Sequence, residues 1–419
     1  MDSHNPDIVI AGGGAAGFFA AIHAKQASPS ASVVILEKSR ELLAKVALSG
    51  GGRCNVTHHC FDPNVLVEHY PRGGKELRGA FHRFQPSDTI DWFESRGVDI
   101  KTEADGRMFP VSDDSGDIVR TLETEAHQLG ISIWKKKGLR EAHPTSHGFE
   151  CILTTGESLS GRALILATGG NRASGGWAVA EQLGHRIIEP VPSLFSFHVR
   201  DPVIAGLAGV SVDPVVVSIP EMKAVQRGPL LITHKGLSGP AVLKLSAWQA
   251  RELADATNQA ALSINWIPDH NDSLGDLCRL RKTKGAQRVI SANPFALPRR
   301  LWQRLCARAL IEESTQCAQL TSCQEEALHR ALTRMECTMR GKTLNKEEFV
   351  TCGGVDLLEV DLKHFRSKRH PTLYFAGEVL NIDGVTGGFN FQAAWTGGFL
   401  AGSAAGRSLG EQRSSFQKL

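Results

Sequence analysis

DIVIAGGGAAGFFAAIHAKQA, residues 7–27, joins a run fit for a buried strand to a glycine cluster and then to an alanine-rich helix, with no break between them. The strand, Asp7–Ala11, shows no polar alternation after its first residue, which suits a strand covered on both faces. Gly12, Gly14 and Gly17 follow in GxGxxG spacing, and the helix they open is expected to run to about Ala27. Ser32–Glu37 (SVVILE) reads as the next strand. Strand, glycine turn, helix and strand within about 30 residues make a βαβ unit, the opening of a doubly wound α/β sheet.

A GxGxxG spacing alone is weak, because glycine turns are common. Here it follows a strand, opens a helix and precedes Glu37, which ends the second strand twenty residues after Gly17 (37 − 17). Gly12 permits the tight turn, Gly14 removes a Cβ that would hold a pyrophosphate away from the backbone, and Gly17 lets the helix pack closely on the sheet. The helix start offers free N–H groups and the positive end of its dipole to phosphate. Glu37 can accept hydrogen bonds from ribose hydroxyls and would repel a 2′-phosphate. A ligand-free turn would leave the position of Glu37 unexplained, so a dinucleotide is expected.

The rest of the chain is compatible with a large cofactor site. Its 419 residues exceed one compact core. Lysine plus arginine number 47 against 44 acids, and the resulting net charge of +3 neither demands nor excludes nucleic acid. Nine cysteines are scattered without a CxxC pair or a histidine-rich segment, so they read as reduced thiols, and no metal site is expected. The start, MDSHNPD, lacks the basic and apolar pattern of a signal peptide, and no window of about 20 residues is uniformly apolar. The expectation is a cytoplasmic protein with no membrane contact.

Helices are expected around Asp88–Ser95 and Asp117–Leu129, with a turn-rich stretch at 105–110 and strands at Cys151–Thr155 and Ala163–Ala167. Between about 191 and 345 the texture changes. Phe195–Arg200, Val210–Ile219, Leu230–His234 and Ala260–Ile267 look like strands of an antiparallel sheet or small barrel, followed by helical segments at Leu297–Glu313 and Glu325–Met335. Strand-and-glycine character then returns at Leu373–Ala376 and in a glycine-rich helix over Gly387–Gly402. The expected organisation is a discontinuous cofactor domain, 1–190 plus 346–419, an inserted β-domain, 191–268 and about 325–345, and a helical subdomain, 269–324.

FAD is longer than NAD and needs contacts well beyond the first turn. Three later segments can supply them: Lys45 with Ser49–Asn55 (SGGGRCN), Thr168-Gly169-Gly170, and Gly377-Glu378 with Asp383-Gly384 and Gly387–Asn390. A helix starting near Asn390 would place positive charge beside the pyrimidine ring of a reduced flavin. Each glycine group alone is also explained by turn formation; together, at both ends of one chain, they favour FAD.

SGGGRCN (49–55), THKGLSGP (233–240), TCGGV (351–355) and GEVLNIDGVTGGFNFQAAWTGGFLAG (377–402) resemble bacterial FAD-dependent flavoproteins described as aminoacetone-oxidase-like or bile-acid-reductase-like, over nearly the whole chain. The resemblance implies an α/β fold of the two-dinucleotide-binding flavoprotein type: a Rossmann-like FAD domain with an inserted β-sheet or barrel domain carrying a helical subdomain. Around the cofactor it implies Gly12, Gly14, Ala15, Ala16, Gly17, Glu37, Lys38, Lys45, Ser49, Gly51, Gly52, Arg53, Cys54, Asn55, Leu139, Thr168, Gly169, Gly377, Glu378, Asp383, Gly387, Gly388, Phe389, Asn390 and Gln392. Asn381 stands where an acid would more often be expected, so no acid–base role is carried to it.

Reduction of an activated C=C bond, with NADH or NADPH as electron source, is the first expectation. The alternatives are oxidation of an amine by oxygen, action on uridine in ribosomal RNA in place of a small enone, and a ligand role for FAD without turnover. No second GxGxxG follows a strand, so a nicotinamide donor would visit only transiently. Cys54, His234 and Lys235 are the candidate catalytic residues; the bland readings are a packing cysteine, a loop histidine and a solvated lysine. Basic residues gather at Arg279, Arg281, Lys282, Lys284 and Arg288, and again at Arg299, Arg300, Arg304 and Arg308, either to hold RNA phosphates or as solvated helix faces.

Overall fold

The structure is a computed structural model that describes residues 5–343 and 350–416, with side chains described as far as Gly410. Residues 1–4, part of the start read for a signal peptide, and the expected boundary at 345/346 lie outside the described residues. The chain divides into two compact units, Met1–Pro192 with Lys346–Leu419, and Ser193–Asn345.

The first unit is built on a seven-stranded sheet in the order Val360–Asp361, Arg366–Ser367, Leu373–Phe375, Ala163–Leu166, Ile8–Ala11, Val33–Glu37, Ser132–Lys135. Ile8–Ala11 lies in parallel register with both neighbours, Ile8 facing Val33 on one side and Ala163 on the other. All four of its residues are buried, as an apolar run without alternation requires of a parallel strand covered on both faces. Leu373–Phe375 also joins in parallel, so the end of the chain extends the sheet that the beginning starts.

The helix Ala15–Ala27 is buried from Ala16 to Ala24. Its partner is the closing helix, Phe389–Phe416. A Cβ added to Gly398 would lie 2.7 Å from the Ala16 carbonyl oxygen, one on Gly402 would lie 2.1 Å from that of Ala20, and one on Gly406 2.5 Å from that of Ala24. Glycines and alanines four apart on the facing helices let the two backbones meet with no side chain between them. His23, on the same helix, packs edge-on against Phe19 and Phe399, and burial drives its pKa down to about 3, so it is neutral.

The other helices of this unit start where local chemistry directs. Pro86–Glu94 has a capping box between Gln85 and Asp88, and Ser115–Gln128 is capped by the Asp114 carboxylate, which accepts from Gly116 N–H. Beside a two-stranded sheet of Ile187–Ser193 and Val350–Val355 stand two small three-stranded antiparallel sheets. Leu139–Thr145, Gly148–Leu153 and Ser158–Gly161 form one; the other is Thr57–His58, Arg107–Pro110 and Ile100–Thr102. The stretch 105–110, read as turn-rich, is therefore a turn only at Asp105-Gly106 and a strand from Arg107.

The second unit is a closed antiparallel barrel of six strands, in the order Ser196–Val199, Gly236–Ser238, Ala224–Thr233, Ser211–Ile219, Ala260–Asn265, Met335–Thr343. The last strand pairs with both Ala260–Asn265 and Ser196–Val199 and closes the barrel. Helices Ser273–Thr283, Arg299–Arg308 and Ser322–Thr333 pack beside it, burying Trp302, Leu305 and Leu328 in one core with barrel residues. The helix expected over Leu297–Glu313 is shorter at both ends: it starts after Pro298, its extended N-cap, and it stops before Leu310, which turns left-handed with φ of 56°.

Gly402→Ala is expected to lower stability to unfolding by ~1–3 kcal/mol, because the new methyl meets backbone that cannot yield. Gly410→Ala, with no atom within 4 Å of its Cβ position, should leave stability unchanged or raise it slightly. Denaturant titration of the two variants checks the pair.

Candidate functional site

Two of the three fingerprint glycines are required by the protein itself. Gly12 has φ of +115°, and a Cβ there would sit 2.3 Å from the Ala167 carbonyl oxygen; a Cβ on Gly17 would sit 1.9 Å from that of Gly12. Gly14 is different: no protein atom lies within 4 Å of its Cβ position. Gly14 is also the N-cap of the first helix and provides no side-chain cap, so the leading N–H groups of Ala15, Ala16 and Gly17 lack an intrahelical partner. An open backbone face at a helix N-terminus is a cradle for phosphate.

Glu37 is braced beside this cradle. Its Oε2 accepts from Gly13 N–H at 2.8 Å and its Oε1 from Ser39 N–H at 2.7 Å, which aims the carboxylate and leaves lone pairs for a ribose. Lys38 next to it donates to the Ala173 carbonyl at 2.5 Å, and buried Leu139 follows Gly138, whose Cβ position is 2.8 Å from the Lys38 Cβ.

The later segments converge on the same turn. Thr168 lies against Gly12, its Cα 3.0 Å from the glycine's Cβ position, and its buried hydroxyl has no hydrogen-bond partner among the described residues. Gly169 has φ of +74° with open space at its Cβ position, and a Cβ on Gly170 would lie 3.2 Å from that of Glu378. Gly377 has φ of +73°, and its Cβ position is 2.9 Å from the Ala16 Cβ. Glu378 accepts from Lys45 Nζ at 2.5 Å. Residues 12–17, 168–170, 45 and 377–378 thus form one continuous lining in the first unit.

In the 49–55 loop, Gly51 and Gly52 have φ of +71° and +87° and face open space, whereas Gly50 packs on Phe109. Ser49 donates to the Val46 carbonyl at 3.1 Å, and the Arg53 guanidinium pairs with Glu103 at 2.6 Å while lying 4.0 Å over the Phe109 ring. Cys54 is fully buried, with φ of 60°, and burial pushes its thiol up to about 12. The Asn55 amide bridges to the closing segment, donating to the Thr57 carbonyl at 3.0 Å and accepting from Gly388 N–H at 2.9 Å.

The closing segment is held by contacts that the sequence did not announce. Asp383 is fully buried, with Arg72 donating to both its carboxylate oxygens, Nε to Oδ1 at 2.6 Å and Nη2 to Oδ2. Asn390 ties the loop by accepting from Gly384 N–H at 2.8 Å and donating to the Gly384 carbonyl at 2.9 Å. Gln392 is buried and accepts from the hydroxyls of Thr57 at 2.6 Å and Thr89 at 2.9 Å. Gly387 and Gly388, with φ of +130° and +96°, end the loop just before the helix. The Phe389 ring packs against both His58, at 4.5 Å, and His69, at 4.2 Å, which are 5.9 Å from each other, and the Gly387 carbonyl lies 2.9 Å from His58 Nδ1. Neither histidine belongs to a sequence pattern; only the fold brings them to this loop.

His234 and Lys235 belong to the second unit, exposed on the turn between strands Ala224–Thr233 and Gly236–Ser238. Of the two basic groups, the first has Arg279 paired with Asp272 and Asp276 and Arg281 with Glu325, while its Lys282, Lys284 and Arg288 are exposed; in the second, Arg308 pairs with Asp201. Among the described residues no cluster of three or more His, Cys, Asp or Glu side chains could hold a metal ion, and no helix is long and apolar enough to cross a membrane.

Residues 6–404 match the model of the HI0933-like protein Rossmann domain. The chain belongs to this family. It is a family of flavoprotein oxidoreductases with a Rossmann FAD-binding domain, and the open face at Gly14, the braced Glu37 and the unpartnered Thr168 hydroxyl fit that cofactor. Within the curated relatives, the chain is 32% identical over 400 residues to the ribosomal RNA dihydrouridine synthase of Escherichia coli, covering 93% of this chain and 95% of that one. It is 28% identical over 415 residues to the 3-dehydro-bile acid delta(4,6)-reductase of Clostridium scindens, covering 95% and 98%. Among solved structures, the 3-ketosteroid-delta4-(5alpha)-dehydrogenase of Rhodococcus jostii shares the fold, with a TM-score of 0.53, 15% identity and 96% of both chains covered.

Gly14→Val separates folding from cofactor retention. Its Cβ would have no protein atom within 4 Å, so the flavin-free variant should lose only the ~1 kcal/mol that a poorer N-cap costs. Its affinity for FAD should fall roughly tenfold or more, a loss of at least ~1.4 kcal/mol, measured by fluorescence titration of the stripped protein.

Proposed function

We propose that this protein is an FAD-dependent reductase that adds two hydrogens across a ring C=C bond conjugated to a carbonyl, with NADH or NADPH as electron source. The observation that carries the reading is the chemistry shared by the names of the two relatives matched over 93% and 95% of the chain: dihydrouridine formation and a delta(4,6) reduction beside a 3-keto group. Both saturate such a bond. The higher identity favours uridine in ribosomal RNA as the substrate, with a small cyclic enone as the second reading.

When bound, FAD supplies a hydride-accepting and hydride-donating ring between the nicotinamide and the substrate. The protein's own residues do the rest. The N–H groups of Ala15, Ala16 and Gly17 hold the pyrophosphate, and Glu37, aimed by Gly13 and Ser39, holds the ribose. The Lys45–Glu378 pair and the Thr168 hydroxyl line the path between the two chain ends. The N-terminus of the helix beginning at Phe389 offers positive charge to the ring system. Cys54, His234 and Lys235 are the groups proposed to give the accompanying proton. A thiolate left at Cys54 would be costly, since burial holds that thiol at about 12, which weighs against Cys54 as the donor.

Purified protein is expected to be yellow, to be bleached anaerobically by NADH or NADPH, and to recover its colour on adding an RNA containing the target uridine, with dihydrouridine formed. Recovery with a cyclic enone but not with RNA selects the second reading. Bleaching by an amine and by neither nicotinamide would contradict the reductase altogether.

A further inference from the structure

We propose that the outward face of the helix Arg299–Arg308 is a docking surface for the sugar–phosphate backbone of RNA, an inference that rests on the ribosomal-RNA reading above. The inner face of this helix is apolar and occupied: Leu301, Trp302, Leu305 and Cys306 are buried in the core of the second unit. The outer face presents Arg299, Arg300, Arg304 and Arg308, separated by Gln303 and Ala307, and carries no acid.

That pattern opposes the stability of the helix. Arg299 and Arg300 sit at the N-terminus, where the dipole disfavours positive charge, and the first turn contains no acidic residue. Arg300, Arg304 and Arg308 are four apart, so each repels the next along the face. A face kept only for solubility would mix signs, as Arg279 does with Asp272 and Asp276 on a neighbouring helix. Asp201, with a side chain 10% exposed, pairs with Arg308 at 3.0 Å, and Arg300 donates to the Gly206 carbonyl at 2.5 Å. These two contacts tie the loop 201–206 to the helix, and exposed Arg200 immediately precedes that loop. Arg200, Arg299 and Arg304 have no acidic partner among the described residues.

The occupant follows from charge and chemistry. Every cation on the helix is arginine, whose planar fork binds phosphate bidentately and is weakly hydrated. Insertion into a membrane surface would need a free apolar face, and this helix has already buried its own. A protein partner would want an apolar anchor at the centre of the contact, where this face has Gln303 and Ala307. A polyanion bound through its backbone needs neither.

The test uses the full-length flavin-loaded protein and Arg299→Glu/Arg304→Glu, with Lys75→Glu/Arg78→Glu in the first unit as a control of equal charge change. Binding to a ribosomal RNA fragment is measured against salt. The helix variant should lose at least tenfold in affinity at low salt, with a log–log salt slope shallower by about 1.5 to 2. Its flavin spectrum and its bleaching by nicotinamide should match the parent, and the control should bind as the parent does. Equal binding by parent and helix variant, equal loss in the control, or equally tight binding of polyglutamate or anionic phospholipid vesicles would overturn the proposal. RNA bound through these arginines with its uridine left unreduced would contradict the ribosomal-RNA reading and leave the docking surface standing. Uridine reduction by the helix variant with an unchanged KM for RNA would do the reverse.

Discussion

The closeness of two helices from opposite ends of the chain governs the first unit. Ala16, Ala20 and Ala24 face Gly398, Gly402 and Gly406, and each glycine leaves space that a single methyl would fill against backbone. Because the spacing is four on both sides, the register is set residue by residue: bringing Gly398 to Ala16 also brings Gly377 against the Ala16 Cβ and Glu378 to Lys45. The phosphate-binding turn and the closing loop therefore share one framework. Neither could shift without breaking the packing of the other.

Glycines at such a site serve two purposes, and the structure separates them. Gly12, Gly17 and Gly388 are small because backbone oxygens lie within 2.4 Å of where a Cβ would be. Gly14, Gly51, Gly52 and Gly169 face nothing. In Gly51, Gly52 and Gly169 a positive φ already favours glycine, so Gly14, whose φ is ordinary, is the position where open space rather than backbone conformation marks a surface on which a ligand fits.

The opening motif was legible because its signal is local: a strand, a spacing of glycines and an acid at the next strand end are read within thirty-odd residues, and Glu37 stands where the spacing placed it, now with Gly13 and Ser39 holding it. Long-range pairings were less so. The strand Met335–Thr343 closes the barrel and alternates Met335, Cys337 and Met339 inward, a pattern present in the sequence but masked by the helix that ends at Thr333. Arg72, which buries the charge of Asp383, is 311 residues away along the chain, and His58 and His69 meet Phe389 from similar distances. Such partners carry no spacing to recognise. The two basic groups looked alike as sequence; only the fold shows which members find acids, Arg279 and Arg281 in one and Arg308 in the other.

The joint cradle is tested most directly by hydrogen–deuterium exchange on the flavin-stripped protein with and without added FAD. The account predicts that amides at 12–17 and at 377–390 gain protection together and at the same FAD concentration. Protection confined to 12–17, with 377–390 exchanging as before, would contradict it.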